Sequence, residues 1–239
     1  MQAARYKWFT VRAWLVHLYT SLGIVAGFMA LGAVLQQDVQ RVFLWLGVAL
    51  FIDSSDGTLA RAWDVKRWAS AFDGRKLDDI TDYLNFTFIP VFFAFRIGMV
   101  NGVGVVALAA VLLSSAYGFC QSAAKTNDGY FTGFPSFWNL LIFYMYLFNL
   151  SPAVNALVLS LFSAMVFVPV KYLSFSTPQM QRITKAIAAL YGLVLAWIVI
   201  RLDQPQPGLI LASLIFPLGY MVYPLVERRR MRRLEKLAD

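Results

Sequence analysis

Sulfur and imidazole are nearly missing from these 239 residues: there is one cysteine, Cys120, and one histidine, His17. A single cysteine excludes an intrachain disulfide and any Cys-rich metal site. A single histidine excludes a centre built on several imidazoles. Glutamate is almost as rare, with only Glu227 and Glu235. Charge is thin as well, at 14% of residues, where an average soluble domain carries about 25%.

What is abundant is apolar. Hydrophobic residues make up 59% of the chain, aromatics 16%, and mean hydropathy is +0.62. Such a chain cannot cover its surface with polar groups in water. A soluble enzyme, a disordered chain and a fibrous chain are therefore excluded, and an integral membrane protein is expected. The net charge of +8 does not call for nucleic acid in this setting. Basic loops on the cytoplasmic side of a membrane explain it, and the Arg/Lys-rich tail reads as topology and contact with anionic lipid.

Apolar runs fall at roughly 12–35, 41–61, 77–95, 98–121, 134–150, 152–173, 183–202 and 207–226, most of them near the about 20 residues that a helix needs to cross a bilayer. They predict an all-α, polytopic membrane protein with about eight transmembrane helices in one domain, residues 1–239. The first run is longer than the apolar core of a signal peptide and no clear cleavage site follows it, so it is read as a span. Pro90 and Pro169 fall inside runs and are expected to bend those helices. There is no internal repeat, low-complexity segment or long linker.

Lys and Arg set the orientation. Arg5, Lys7, Arg12, Arg61, Lys66, Arg67, Arg75, Lys76, Lys125, Lys171, Arg182, Lys185 and the six basic residues between 228 and 236 fall on one side. Only Arg41, Arg96 and Arg201 fall on the other. Eighteen against three places both termini in the cytoplasm, as an even number of spans requires.

The carboxylates are clustered. Seven of the thirteen acidic residues lie between Asp53 and Asp82, at the expected cytoplasmic ends of spans two and three. Asp53, Asp56, Gly57, Ala60 and Arg61 are spaced i, i+3, i+4, i+7, i+8, one face of a helix. Gly74, Asp78 and Asp82 share a face of the next. If the two spans are antiparallel neighbours, four carboxylates converge near the membrane surface. Four like charges there repel unless some protonate or a counter-ion joins them. Oxygen-only ligands suit a hard cation such as Mg²⁺ or Mn²⁺, and four carboxylates can bridge two such ions about 3.5–4 Å apart, an arrangement used in phosphoryl chemistry. Gly57 and Ala60 leave space on the same face for a bulky group or a close helix. Arg61 can hold a phosphate or orient a carboxylate. Asp64, Asp73 and Asp79 read as solvated caps, and His17 as a structural or interfacial residue.

These residues resemble a family signature. Asp53-x-x-Asp56-Gly57-x-x-Ala60-Arg61, followed by Gly74-x-x-x-Asp78-x-x-x-Asp82, is similar to that of the CDP-alcohol phosphotransferases. It covers about 30 residues directly, at 53–82. Most members have eight residues between the Arg and the second Gly, whereas Ala62 to Asp73 makes twelve here. That spacer, the span count and the segment from Tyr117 to Asn139 are similar to a bacterial branch that joins CDP-diacylglycerol directly to choline.

The resemblance implies that Asp53, Asp56, Asp78 and Asp82 hold two divalent cations, Mn²⁺ or Mg²⁺. It implies that Asp56, Gly57, Ala60, Arg61, Gly74 and Asp78 bind CDP-diacylglycerol, with Asp82 also the general base on the alcohol. It further implies a bacterial inner-membrane protein with its site facing the cytoplasm, and a homodimer. A quaternary ammonium is favoured by aromatic faces, for which Tyr83, Tyr117, Tyr130 and Trp138 are candidates. Two alternatives stand beside this reading. The acceptor could be serine, glycerol phosphate or inositol phosphate. From a different class, intramembrane aspartates serve cation-coupled transporters, although there the carboxylates are expected near mid-membrane.

Overall fold

In the computed structural model, residues 2–121, 130–173 and 182–223 are described. The chain is helical through most of them: α1 (Gln2–Leu35), α2 (Val39–Ala62), the short α3 (Val65–Trp68), α4 (Gly74–Asp82), a π-helical stretch (Tyr83–Phe88), α5 (Ile89–Arg96), α6 (Val105–Cys120), α7 (Trp138–Leu147), α8 (Pro152–Met165), α9 (Arg182–Ile200) and α10 (Pro207–Ser213). Apart from α3 the helices fall within or overlap the apolar runs, and among the described residues three segments are long and apolar enough to cross a membrane: Tyr6–Leu35, Val39–Ala62 and Gly102–Cys120. Phe28, Leu113, Leu193 and Ile215 are each more than two-thirds exposed, as side chains turned to lipid rather than water are. The protein is an all-α membrane protein in architecture.

Helix starts follow the capping rules. The Asp38, Asp73 and Ser151 side chains accept from the backbone N–H groups of Arg41, Lys76 and Val154, satisfying one orphan donor of α2, α4 and α8 respectively. α1 and α2 form the most extensive helix pair, and α4 and α5 pack against α1 beside it. α4, the π-helical stretch and α5 form one continuous rod, the third, and the close approach of α1 to it uses Gly23 and Gly27, one turn apart, where Asn85 Nδ2 donates to the Gly23 carbonyl at 3.0 Å. Small residues at this spacing let membrane helices meet backbone to backbone. The main core lies further along the bundle, around Trp138, Ile142, Leu159, Val111, Phe93 and Phe43.

Four expectations are corrected. The third rod starts at Gly74, not 77, and Pro90 does not simply kink it. Proline supplies no N–H, so the ladder widens ahead of it, and the Ile89 N–H bonds to the Leu84 carbonyl five residues back. The sixth run does not continue to 173: α8 ends at Met165, because Pro169 lacks a donor and disfavours helix for the residue before it. Beyond it Lys171–Leu173 forms a strand, pairing antiparallel with Tyr130–Thr132. These six residues are an exception to the all-helical expectation. The turn into the pair needs Gly133, whose φ of +87° is in the left-handed region and where a Cβ would run into the Val166 carbonyl.

Candidate functional site

The aspartates sit where α1, α2 and α4 meet. α2 brings Asp53 and Asp56 down on one face, and α4 carries Asp78 and Asp82 up on a face of its own. Asp53, Asp78 and Asp82 are all half-buried, and one carboxylate oxygen from each lies within 4.8 Å of the others. Three carboxylates so close in partly desolvated surroundings repel strongly unless neutralised. The donor set is all oxygen, which fits a hard divalent cation.

Asp56 is not part of that trio. One turn further along α2, it is buried, with 6% of its surface exposed, and its Oδ2 accepts from Thr20 Oγ1 on α1 at 2.8 Å. Next to it, the Tyr19 hydroxyl and Ser55 Oγ are 2.7 Å apart. α1 therefore locks onto the acidic face of α2 through two polar contacts.

The other signature residues divide. Beside Gly57 a Cβ would meet only Arg61 Nη1, at 3.4 Å, so this flank of the site is open. Arg61 is exposed and donates to Thr58 Oγ1 at 3.2 Å. Ala60 packs toward the small core of Ala13, Val16, Val65 and Ala69. Gly74 lies against His17: a Cβ there would stand 2.7 Å from the imidazole Cε1. Of the three expected caps, Asp73 caps α4 with its side chain and Asp64 precedes α3 without a side-chain cap bond. Asp79 is no cap, because it lies inside α4 and is half-buried.

The spacer from Ala62 to Asp73 folds back over the first turns of α1. Val65 and Ala69 are buried on Ala13 and Val16. Trp68 stacks on Phe9 at 4.8 Å, and the Arg12 guanidinium lies 4.7 Å from the Trp63 ring, a cation–π contact.

The aromatic candidates also divide. Tyr83 follows Asp82 directly, is half-buried and donates its hydroxyl proton to the Leu112 carbonyl at 3.1 Å, with its ring edge-on to Phe119. Tyr117 is exposed and faces Phe167 at 5.0 Å. Trp138 is enclosed completely in the core and its Nε1 donates to Ser115 Oγ at 2.6 Å. The side chain of Tyr130 lies outside the described residues.

Sequence reasoning missed Thr20, Tyr19 and Asn85. The sequence did show that Thr20 shares a face of the first span with Ala13, Val16, Gly23 and Gly27, at spacings of three and four, but not which residues that face meets. Such a stripe of small and polar residues marks the face of a membrane helix that meets other helices.

No family model matches the chain. It is similar to proteins described as phosphatidylcholine synthase from several bacteria. The match to that of Legionella pneumophila is 44% identical over 162 residues, 67% of this chain and 64% of the relative, just under two thirds of its length. For Borreliella burgdorferi the figures are 37% over 186 residues, 77% of this chain and 80% of the relative. For Pseudomonas aeruginosa they are 39% over 163 residues and 68% of each.

Proposed function

The chain belongs to the bacterial phosphatidylcholine synthase family, and from that premise we propose that it transfers the phosphatidyl group of CDP-diacylglycerol to choline, giving phosphatidylcholine and CMP. The observation that carries the chemistry is the convergence of Asp53, Asp78 and Asp82 within 4.8 Å. Asp56 completes the acidic set one turn away. These four residues would hold Mn²⁺ or Mg²⁺, two ions in our reading, and such ions supply neutralising charge to a pyrophosphate as its anhydride bond breaks.

The residues do the rest. Gly57 leaves the open flank on which the nucleotide lies, and Ala60 and Arg61 line its cytoplasmic end. Asp82 accepts the proton of the choline hydroxyl. The choline oxygen then bonds to the phosphorus that carries diacylglycerol, the bond from that phosphorus to the bridging oxygen breaks, and CMP leaves with the electron pair. Tyr83 and Tyr117 offer aromatic faces to the quaternary ammonium. In this proposal the eight rods are eight spans with both termini cytoplasmic, and the site faces the cytoplasm from the bacterial inner membrane. The charge bias of eighteen against three supports that orientation. The fold supports it too, by gathering Asp53, Asp78 and Asp82 at one end of the bundle beside the basic spacer.

Metal removal tests this reading. Purified protein given CDP-diacylglycerol and choline should release CMP with Mn²⁺ or Mg²⁺ present and none after chelation, with recovery on adding the ion back. Full turnover in chelated buffer contradicts the role given to the aspartates.

A further inference from the structure

We infer that His17 is a positioning residue of the aspartate site, a wedge on α1 against which Gly74 seats the start of α4. This rests on the reading of Asp53, Asp78 and Asp82 as the acidic centre of the reaction. The imidazole is 7% exposed, and its Nε2 is buried with no hydrogen-bond partner among the described residues. An unsatisfied buried nitrogen costs stability, so what this side chain offers the fold is the shape of its ring. The ring is confined on two sides, by Phe72 with centroids 4.5 Å apart and by Trp14 at 5.7 Å.

The third side is Gly74. A Cβ on that residue would stand 2.7 Å from Cε1 and 3.2 Å from Nδ1, inside the ordinary separation of non-bonded carbon atoms. The ring can swing away only by displacing Phe72 or Trp14, so a Cβ at position 74 presses on α4 as well as on this aromatic pair. Gly74 is the first residue of α4, and Asp78 and Asp82 follow at one and two turns on the same face. A shift at Gly74 is therefore a shift of both carboxylates relative to Asp53. Thr20, one turn along α1 from His17, holds Asp56 at 2.8 Å. One face of α1 thus sets both halves of the acidic centre, α2 through Thr20 and α4 through His17.

Two reasons for a glycine at 74 now separate. If it leaves room for a nucleotide, a Cβ blocks substrate whatever stands at position 17. If it admits the imidazole, removing the ring makes the Cβ harmless. Gly74→Ala, His17→Ala and the double variant should be purified in detergent and titrated with Mn²⁺, reading free ion by electron paramagnetic resonance, alongside CMP release. Gly74→Ala should weaken Mn²⁺ binding about tenfold, and adding His17→Ala should bring it back to within about threefold of the parent, the coupling expected of residues in contact. CMP release should follow the same order. His17→Ala alone should weaken Mn²⁺ binding a few-fold without lowering the yield of folded protein. A double variant that binds Mn²⁺ no better than Gly74→Ala overturns the inference. If Gly74→Ala does not purify folded, His17→Ala carries the test, and unchanged Mn²⁺ binding overturns it. A parent protein that binds no Mn²⁺ overturns the reading of the aspartates, and this inference with it.

Discussion

At the scale of single residues, the informative feature is the difference between Asp82 and Asp56. Both belong to one signature, yet Asp82 is half-buried in the trio while Asp56 is buried and held by Thr20. In the proposed reaction Asp82 is the carboxylate that takes the proton. Asp82→Asn keeps the shape and removes the base, so turnover should fall by roughly 10²–10⁴-fold, with CDP-diacylglycerol binding still measurable by calorimetry in detergent. Near-normal turnover would assign the base elsewhere. The aspartates were legible in the sequence because carboxylates are costly near lipid and their spacing gave the faces directly. Thr20 was not, because its partner is 36 residues away and a threonine in a span has many packing uses. The burial of Trp138 was not legible for a related reason: an indole looks the same in sequence whether it lines a cleft or fills a core.

At the scale of elements, the rod from Gly74 to Arg96 carries half of the acidic centre and changes register directly after it. The π-helical stretch begins at Tyr83, the residue after Asp82, and ends just ahead of Pro90, which supplies no N–H to the ladder. Such stretches recur at functional sites because they re-aim side chains within one helix. The proline was visible in the sequence, but the widening of the ladder ahead of it depends on which carbonyls find partners. The α1 face against this rod is equally demanding. A Cβ on Gly23 would stand 2.7 Å from Thr81 Cγ2, so Gly23→Leu forces α1 and α4 apart. Overpacking of this kind typically costs about 1–3 kcal/mol. Thermal unfolding in detergent should show a lowered Tm together with lost activity, and an unchanged Tm would mean that the helices do not meet there. The spacer was legible as a length but not as the aromatic cover on α1 that it forms, since Val65 and Ala69 find their partners only once α1 is in place.

At the scale of the whole molecule, composition alone pointed to a membrane protein, and among the described residues most of the helices fall within the apolar runs. The strand pair at 130–132 and 171–173 did not, because three-residue strands leave no periodicity to read. Sidedness is the molecular property on which the chemistry depends, since a water-soluble acceptor must reach Asp82 from the compartment that supplies it. Cys120 is exposed and would react, so single cysteines belong in a Cys120→Ser background. In intact cells, Lys66→Cys should resist a membrane-impermeant maleimide, while Gln36→Cys and Gln204→Cys should label from outside. Ready external labelling at 66 would put the acidic centre on the wrong face. The central claim is choline as the acceptor, and it is tested most directly by one side-by-side assay. Purified protein, CDP-diacylglycerol and Mn²⁺ are supplied with choline, serine, glycerol phosphate or inositol phosphate, and kcat/KM is read from CMP release. Choline should be used far better than the other three; serine or a phosphorylated acceptor used better than choline would contradict the claim.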